Sequence, residues 1–139
     1  MENSVESNLK WLAKLARDYQ KSLDQELLPL RLNASNYYFI LKIYDHGHLP
    51  QEKLGTLTGL NGSNVTRTVQ KLVDLDFVIK EKEAQDKRGF SLRLTEKGKK
   101  LYPQIIRAIE GARSAFLSVL TVEEQALFED LLGKLSDGL

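Results

Sequence analysis

The sequence predicts a mainly α-helical chain with one small β-hairpin, on three observations. Apolar residues recur at three- and four-residue steps over most of its length, the stripe of amphipathic helices. The period drops to two only in FVIKEKE and FSLRLT, as in half-buried strands. Between the periodic segments stand residues that start or stop helices: Pro29, Asn33, Gly47, Pro50, Gly59, Thr95 and Thr121.

The first helix spans Glu6 to Leu28, with Leu9, Leu12, Leu15, Tyr19, Leu23 and Leu27 on one stripe, and Pro29 closes it. Asn33 is placed to cap a second helix with Tyr37, Ile40, Leu41 and Tyr44 on its apolar face, ended by Gly47. Pro50 suits the first turn of a short third helix in which Leu54 and Leu57 face inward and Gly59 provides the exit. SNVTRTVQKLVDLD is the fourth, with Val65, Val69, Leu72 and Val73 on one side. At 100° per residue, Ser63, Arg67, Gln70, Lys71 and Asp74 then fall opposite, with Asn64 at the edge.

The alternating segments follow, pairing through the loop AQDKRG; Phe77 and Ile79 share one face, as do Phe90, Leu92 and Leu94. Thr95 caps a fifth helix to roughly Leu120 with Leu101, Ile105, Ile109, Ala112 and Phe116 as its stripe; Pro103 lies in its first turns. Thr121 and Glu124 form a capping box opening a sixth, whose apolar residues are Leu127, Leu131, Leu132 and Leu135.

With 139 residues, 28% charged and 42% hydrophobic, the chain is expected to be one soluble domain. It contains no bilayer-length apolar run, and its first ten residues lack a signal peptide's order, so a cytoplasmic location is expected. The absence of cysteine excludes disulfides, thiolate zinc sites and thiol redox sensing. Asp45, His46 and His48 are too few donors for the usual soft-metal site and read better as a polar inter-helix loop, so neither metal nor cofactor is expected. No nucleophile motif, phosphate-binding glycine loop or carboxylate and histidine set is present, so no enzymatic activity is expected.

Net charge is only +1, but it is unevenly spread. Residues 62–102 carry 10 Lys/Arg against 6 Asp/Glu, while residues 1–61 carry 7 against 7 and residues 103–139 carry 3 against 6. The basic excess coincides with three helices followed by a hairpin, the order of a winged helix-turn-helix. A helix with a polar, mildly basic outer face is what reading the DNA major groove requires, because the groove admits one helix and offers it donors and acceptors. The candidate contacts there are Ser63, Asn64, Thr66, Arg67, Gln70 and Lys71. The plain alternative for such a face is a solvated helix surface, and the adjoining hairpin argues against it.

LNASNYYFILKI, GSNVTRTVQKLVDLDFVIKEKE, DKRGFSLRLTEKG and LTVEEQALFEDLLGKL together resemble the MarR family, named for multiple-antibiotic-resistance regulators, over essentially the whole chain. The resemblance implies one domain over residues 1–139: a dimerisation helix at 1–31, a winged helix-turn-helix at 32–98 and dimerisation helices at 99–139. It implies a homodimeric repressor on a palindromic operator, each wing in a minor groove. It also implies Asp86 and Arg88 as a wing pair, with Lys87 adding a phosphate contact. Asp86 would orient Arg88, or alternatively Arg93, through charge-assisted hydrogen bonds; it is also the ordinary first residue of a type I turn, D-K-R-G. An effector seated between dimerisation helices and winged domain would relieve repression. Trp11, Tyr19, Tyr37 and Tyr38 are the aromatic candidates for a small organic ligand, against core or dimer packing, the commoner fate of such residues. The competing function is a winged-helix module that binds protein instead of DNA.

Overall fold

A computed structural model describes residues 7–85 and 89–137. The first helical stretch opens with a 3-10 turn at Asn8–Trp11, runs as α1 (Leu12–Leu27), and ends in a second 3-10 turn at Leu28–Leu30 containing Pro29. Then come α2 (Tyr37–His46), β1 (Leu49–Pro50), α3 (Gln51–Thr58), α4 (Gly62–Asp74), β2 (Val78–Lys82), β3 (Phe90–Leu94), α5 (Glu96–Phe116) and α6 (Val122–Ser136). The fold is mainly helical with a small antiparallel sheet, as expected.

The sheet has three strands, in the order β1-β3-β2, where the sequence indicated a hairpin alone. β1 pairs Leu49 with Leu92 and Pro50 with Ser91. Two residues cannot display an alternation, which is why the strand escapes a reading by period. The phase of β2 also differs from expectation. Val78 pairs with Leu94 and both are buried, whereas Ile79 pairs with the exposed Arg93.

Phe77 is buried for another reason. Its N–H donates to Leu72 O at 3.0 Å, and the Asp76 N–H donates to Val73 O at 2.9 Å, which is the Schellman closure of α4. Asp76 occupies the left-handed position at φ 65°, and Phe77 folds back beside Leu72.

α2 begins at Tyr37, later than a cap at Asn33 implies. Asn33 does cap, but it caps the preceding turn: its Oδ1 accepts from Ser35 N at 2.9 Å and Asn36 N at 3.1 Å. Asn36 Oδ1 accepts from Asn33 N in return at 2.9 Å, which satisfies a nearly buried amide. Thr95 and Thr121 cap α5 and α6 as expected, accepting from Gly98 N and Glu124 N, with the reciprocal Glu124 bond completing the box.

One core joins α1, α2, α5, the helix-turn-helix and the sheet through Leu27, Phe39, Ile40, Ile43, Leu54, Val69, Leu72, Leu92 and Ile105. Leu57 does not join it. About 60° round α3 from Leu54, it lies at the helix edge and is exposed. α6 contains no buried residue. It is held by Arg113 Nε donating to Glu129 Oε1 at 2.7 Å, by Gln125 donating to Leu117 O and Leu120 O, and by Phe116 against Phe128. Among the described residues, no helix is long and apolar enough to cross a membrane.

Candidate nucleic-acid interface

α3 and α4 meet across a short turn whose geometry depends on Gly59, left-handed at φ 73° as the C-cap of α3. Asn61 then caps α4: its Oδ1 accepts from Asn64 N and from Ser63 Oγ, both at 2.9 Å. Val65, Val69 and Leu72 anchor α4 in the core, so its opposite face is presented outward. Ser63, Thr66, Arg67, Gln70 and Lys71 are exposed and Asn64 is half-buried.

This face is partly pre-ordered. Arg67 Nη2 donates to Asn64 Oδ1 at 3.0 Å, which draws the guanidinium toward the N-terminal half of the helix. Gln70 Nε2 donates to Asp74 Oδ1 at 2.9 Å, leaving the amide oxygen of Gln70 available as an acceptor. Five residue types thus offer hydroxyl, amide and guanidinium groups along a helix whose N-terminal dipole is itself positive.

The hairpin stands beside α4. Arg93 Nε and Nη2 both donate to Glu81 Oε1, at 3.2 and 2.9 Å, on the outer face of the sheet. Among the described residues the partner of Arg93 is therefore Glu81, two residues along the strand from Arg93's cross-strand neighbour Ile79. Lys80 lies over the Phe90 ring at 4.2 Å. Glu83 N donates to Gly89 O at 3.0 Å and closes the base of the wing loop. Asp86, Lys87 and Arg88 lie outside the described residues. Between α3, α4 and the hairpin base is an open groove of about 670 Å³, bordered by Gln51, Glu52, Thr66, Glu83 and Phe90.

Gln51 and Glu81 are the residues that reading by period missed. Gln51 Nε2 donates to Thr66 Oγ1 at 3.2 Å, joining the first residue of α3 to the outer face of α4. Only the crossing of the two helices brings this pair together, and no local pattern announces it.

The four aromatic ligand candidates are not gathered into one site. Tyr19 lines a cavity of about 410 Å³ with Phe116, Phe128, Arg113 and Glu129, and packs edge-on against Phe116 at 5.3 Å. Burial pushes its phenol above the ordinary value of 10.0, with the Glu129 charge adding to the effect. Tyr37 is half-buried against the core, and burial raises its phenol in the same way. Tyr38 meets Tyr37 edge-on at 6.4 Å and lies under Lys42 Nζ at 5.0 Å. Trp11 is exposed in the turn before α1, two turns of helix ahead of Tyr19. Asp45 and His46 lie in the last turn of α2 and not in the loop expected from sequence: His46 Nδ1 is 2.8 Å from Lys42 O and Asp45 pairs loosely with Lys42, while His48, after the helix, adjoins Ser91. Among the described residues, no group of three or more His, Cys, Asp or Glu is arranged to hold a metal.

Residues 32–89, from the turn before α2 to the base of β3, match the MarR family. Over 124 residues the chain is 31% identical to YybA, an uncharacterized HTH-type transcriptional regulator of Bacillus subtilis, covering 89% of this chain and 83% of that one. It is similar in fold to a mutant MarR from E. coli crystallised with operator DNA: 22% identity, TM-score 0.83, 96% of each chain. It is also similar to a MarR family regulator from Listeria monocytogenes crystallised with a 26mer DNA: 26% identity, TM-score 0.79, covering 96% of this chain and 89% of that one. With this helix-turn-helix, this wing and a relative matched nearly end to end, the chain belongs to the MarR family of transcriptional regulators.

Proposed function

We propose that the chain binds duplex DNA sequence-specifically as a homodimer and represses transcription from a palindromic operator. The observation that carries this reading is the outer face of α4. Ser63, Thr66, Arg67, Gln70 and Lys71 stand exposed on a helix whose other side is locked into the core, and Asn64 holds Arg67 from the same helix. Those are the side chains that bond base edges and phosphates in a major groove. Relatives of this fold crystallised with DNA support the same assignment. The family is one of regulators and not of enzymes.

In this reading two copies place their α4 helices about 34 Å apart, one turn of DNA. The exposed leucines of α6 and the first helix supply the surface on which the copies join. The wing residues Asp86, Lys87 and Arg88 reach the flanking minor groove, with Asp86 orienting Arg88. Replacing Asp86 by Asn keeps an acceptable first turn residue but removes the carboxylate. Asp86→Asn is therefore expected to fold normally and to weaken operator binding by roughly 1 to 3 kcal/mol, the size of a charged hydrogen bond. Wild-type affinity in that variant would leave Asp86 as a turn residue only. A small organic effector is assigned to the cavity lined by Tyr19, of which Trp11, Tyr37 and Tyr38 are not lining residues.

The test of the function is selection of bound sites from random duplexes. The expected result is enrichment of a palindrome whose half-sites are one helical turn apart. A chain that enriches no sequence would instead fit a protein-binding winged helix.

A further inference from the structure

The Gln51 side chain makes one hydrogen bond and forgoes another. Its Nε2 donates to Thr66 Oγ1, fifteen residues away, while its Oε1 is buried without a hydrogen-bond partner among the described residues. An unpaired buried acceptor is less favourable than an apolar side chain of similar shape. Packing alone therefore does not account for a glutamine at this place. What the amide supplies is direction.

A threonine hydroxyl has one hydrogen to donate and lone pairs to accept with. Within a helix that hydrogen ordinarily goes to the carbonyl four residues back, as Thr58 does to Leu54 O. Thr66 does not follow that pattern. Among the described residues, its hydroxyl has a single hydrogen bond, the one it accepts from Gln51. Its own O–H is left for a group outside the chain, and Thr66 stands on the exposed face of α4 at the edge of the groove.

We propose that Gln51 is a positioning residue that holds Thr66 as an outward-directed donor, so that α4 recognises at this point a hydrogen-bond acceptor of DNA. That acceptor is either a phosphate oxygen or an acceptor atom on a base edge, N7 of a purine or O4 of thymine. The inference rests on α4 being the DNA-reading helix, as proposed above.

The test compares Gln51→Met, Thr66→Val and the double variant, in the full chain, for affinity to the selected palindromic duplex and for thermal midpoint. Each single variant is expected to bind about tenfold more weakly per half-site, the equivalent of one hydrogen bond, and so up to about 100-fold more weakly for the dimer on the palindrome. The double variant is expected to bind no more weakly than Thr66→Val, because both changes act through one hydroxyl. Gln51→Met is expected to melt at or above the wild-type temperature, since it removes the unpaired acceptor; a merely structural glutamine would melt lower. Repeating the site selection with Thr66→Val separates the two acceptors: lost preference at one position of each half-site marks a base edge, and a uniform loss marks a phosphate. Additive losses in the double variant, or wild-type affinity in Gln51→Met, would overturn the positioning role while leaving the DNA-binding reading intact. A wild-type chain that binds no duplex would overturn both.

Discussion

Gly98→Ala is expected to lower the stability of the chain by about 3 kcal/mol, the upper part of the range for forcing an added methyl into filled space. A Cβ at Gly98 would fall on the carbonyl oxygen of Phe77, inside any contact that real side chains make. The oxygen has no freedom to retreat. It accepts from Thr95 N at 3.0 Å, while Thr95 Oγ1 donates to Asp76 O at 2.7 Å and also accepts from Gly98 N at 2.9 Å. Lys97 Nζ adds a bond to Leu75 O at 3.2 Å. The start of α5 is thereby fastened to the Schellman turn that ends α4. A fall in the melting temperature of about 10 °C is expected for that loss in a domain of this size. An unchanged melting temperature would show that the Phe77 carbonyl yields, and that the joint between α4 and α5 is loose.

The same joint shows where local sequence patterns end as a guide. The Thr95 cap and the glycine three residues after it are both legible, because a cap is chemistry between near neighbours. That Gly98 meets Phe77, across the whole hairpin, is a property of the fold. The phase of β2 was lost at this point too. Phe77 and Val78 are adjacent and both buried, one by the turn and one by the strand. An alternation assumes that every residue belongs to the same strand. The turn itself carried no flag, since Asp76 occupies a left-handed position more often marked by glycine.

The outer face of α4 was legible for the opposite reason. Val65, Val69 and Leu72 define its buried side over about two turns, and the exposed residues follow by angle alone. Thr66 was identifiable as an exposed hydroxyl, but its partner Gln51 was not, because their contact depends on how α3 crosses α4. For the aromatic residues, helix membership did not predict a shared site. Tyr19 faces α6, while Trp11 lies on the turn before α1.

Leu131→Lys combined with Leu135→Lys is expected to convert the proposed dimer to monomer and to weaken palindrome binding by about 100-fold or more. The two residues lie one turn apart on α6, 48% and 74% exposed in the single chain. Leu127 continues the stripe at 58%, and Leu9 and Leu12 of the first helical stretch are 71% and 59% exposed. An exposed apolar stripe such as that of Leu127, Leu131 and Leu135 on α6 marks an association site. Lysines there cost the isolated chain little, because the positions are already in water. Buried against a partner they are unpaired charges, whose desolvation an interface does not tolerate. Loss of linkage between two half-site contacts then removes the avidity, typically 10² or more. Light scattering measures the first effect and titration with the palindrome the second. A variant that stays dimeric would place the interface away from α6.

The central claim, sequence-specific binding of duplex DNA by α4 and the wing, is tested most directly by affinity across a salt series. The selected palindrome and a scrambled duplex of equal length are each titrated with the wild-type chain from low to physiological salt. The expected result is a log affinity that falls steeply and linearly with log salt for both, as phosphate contacts release counterions. At physiological salt the palindrome is expected to bind at least about 10³-fold more tightly, the low end for specific recognition. Equal affinity for the two duplexes, or binding to neither, would contradict the claim.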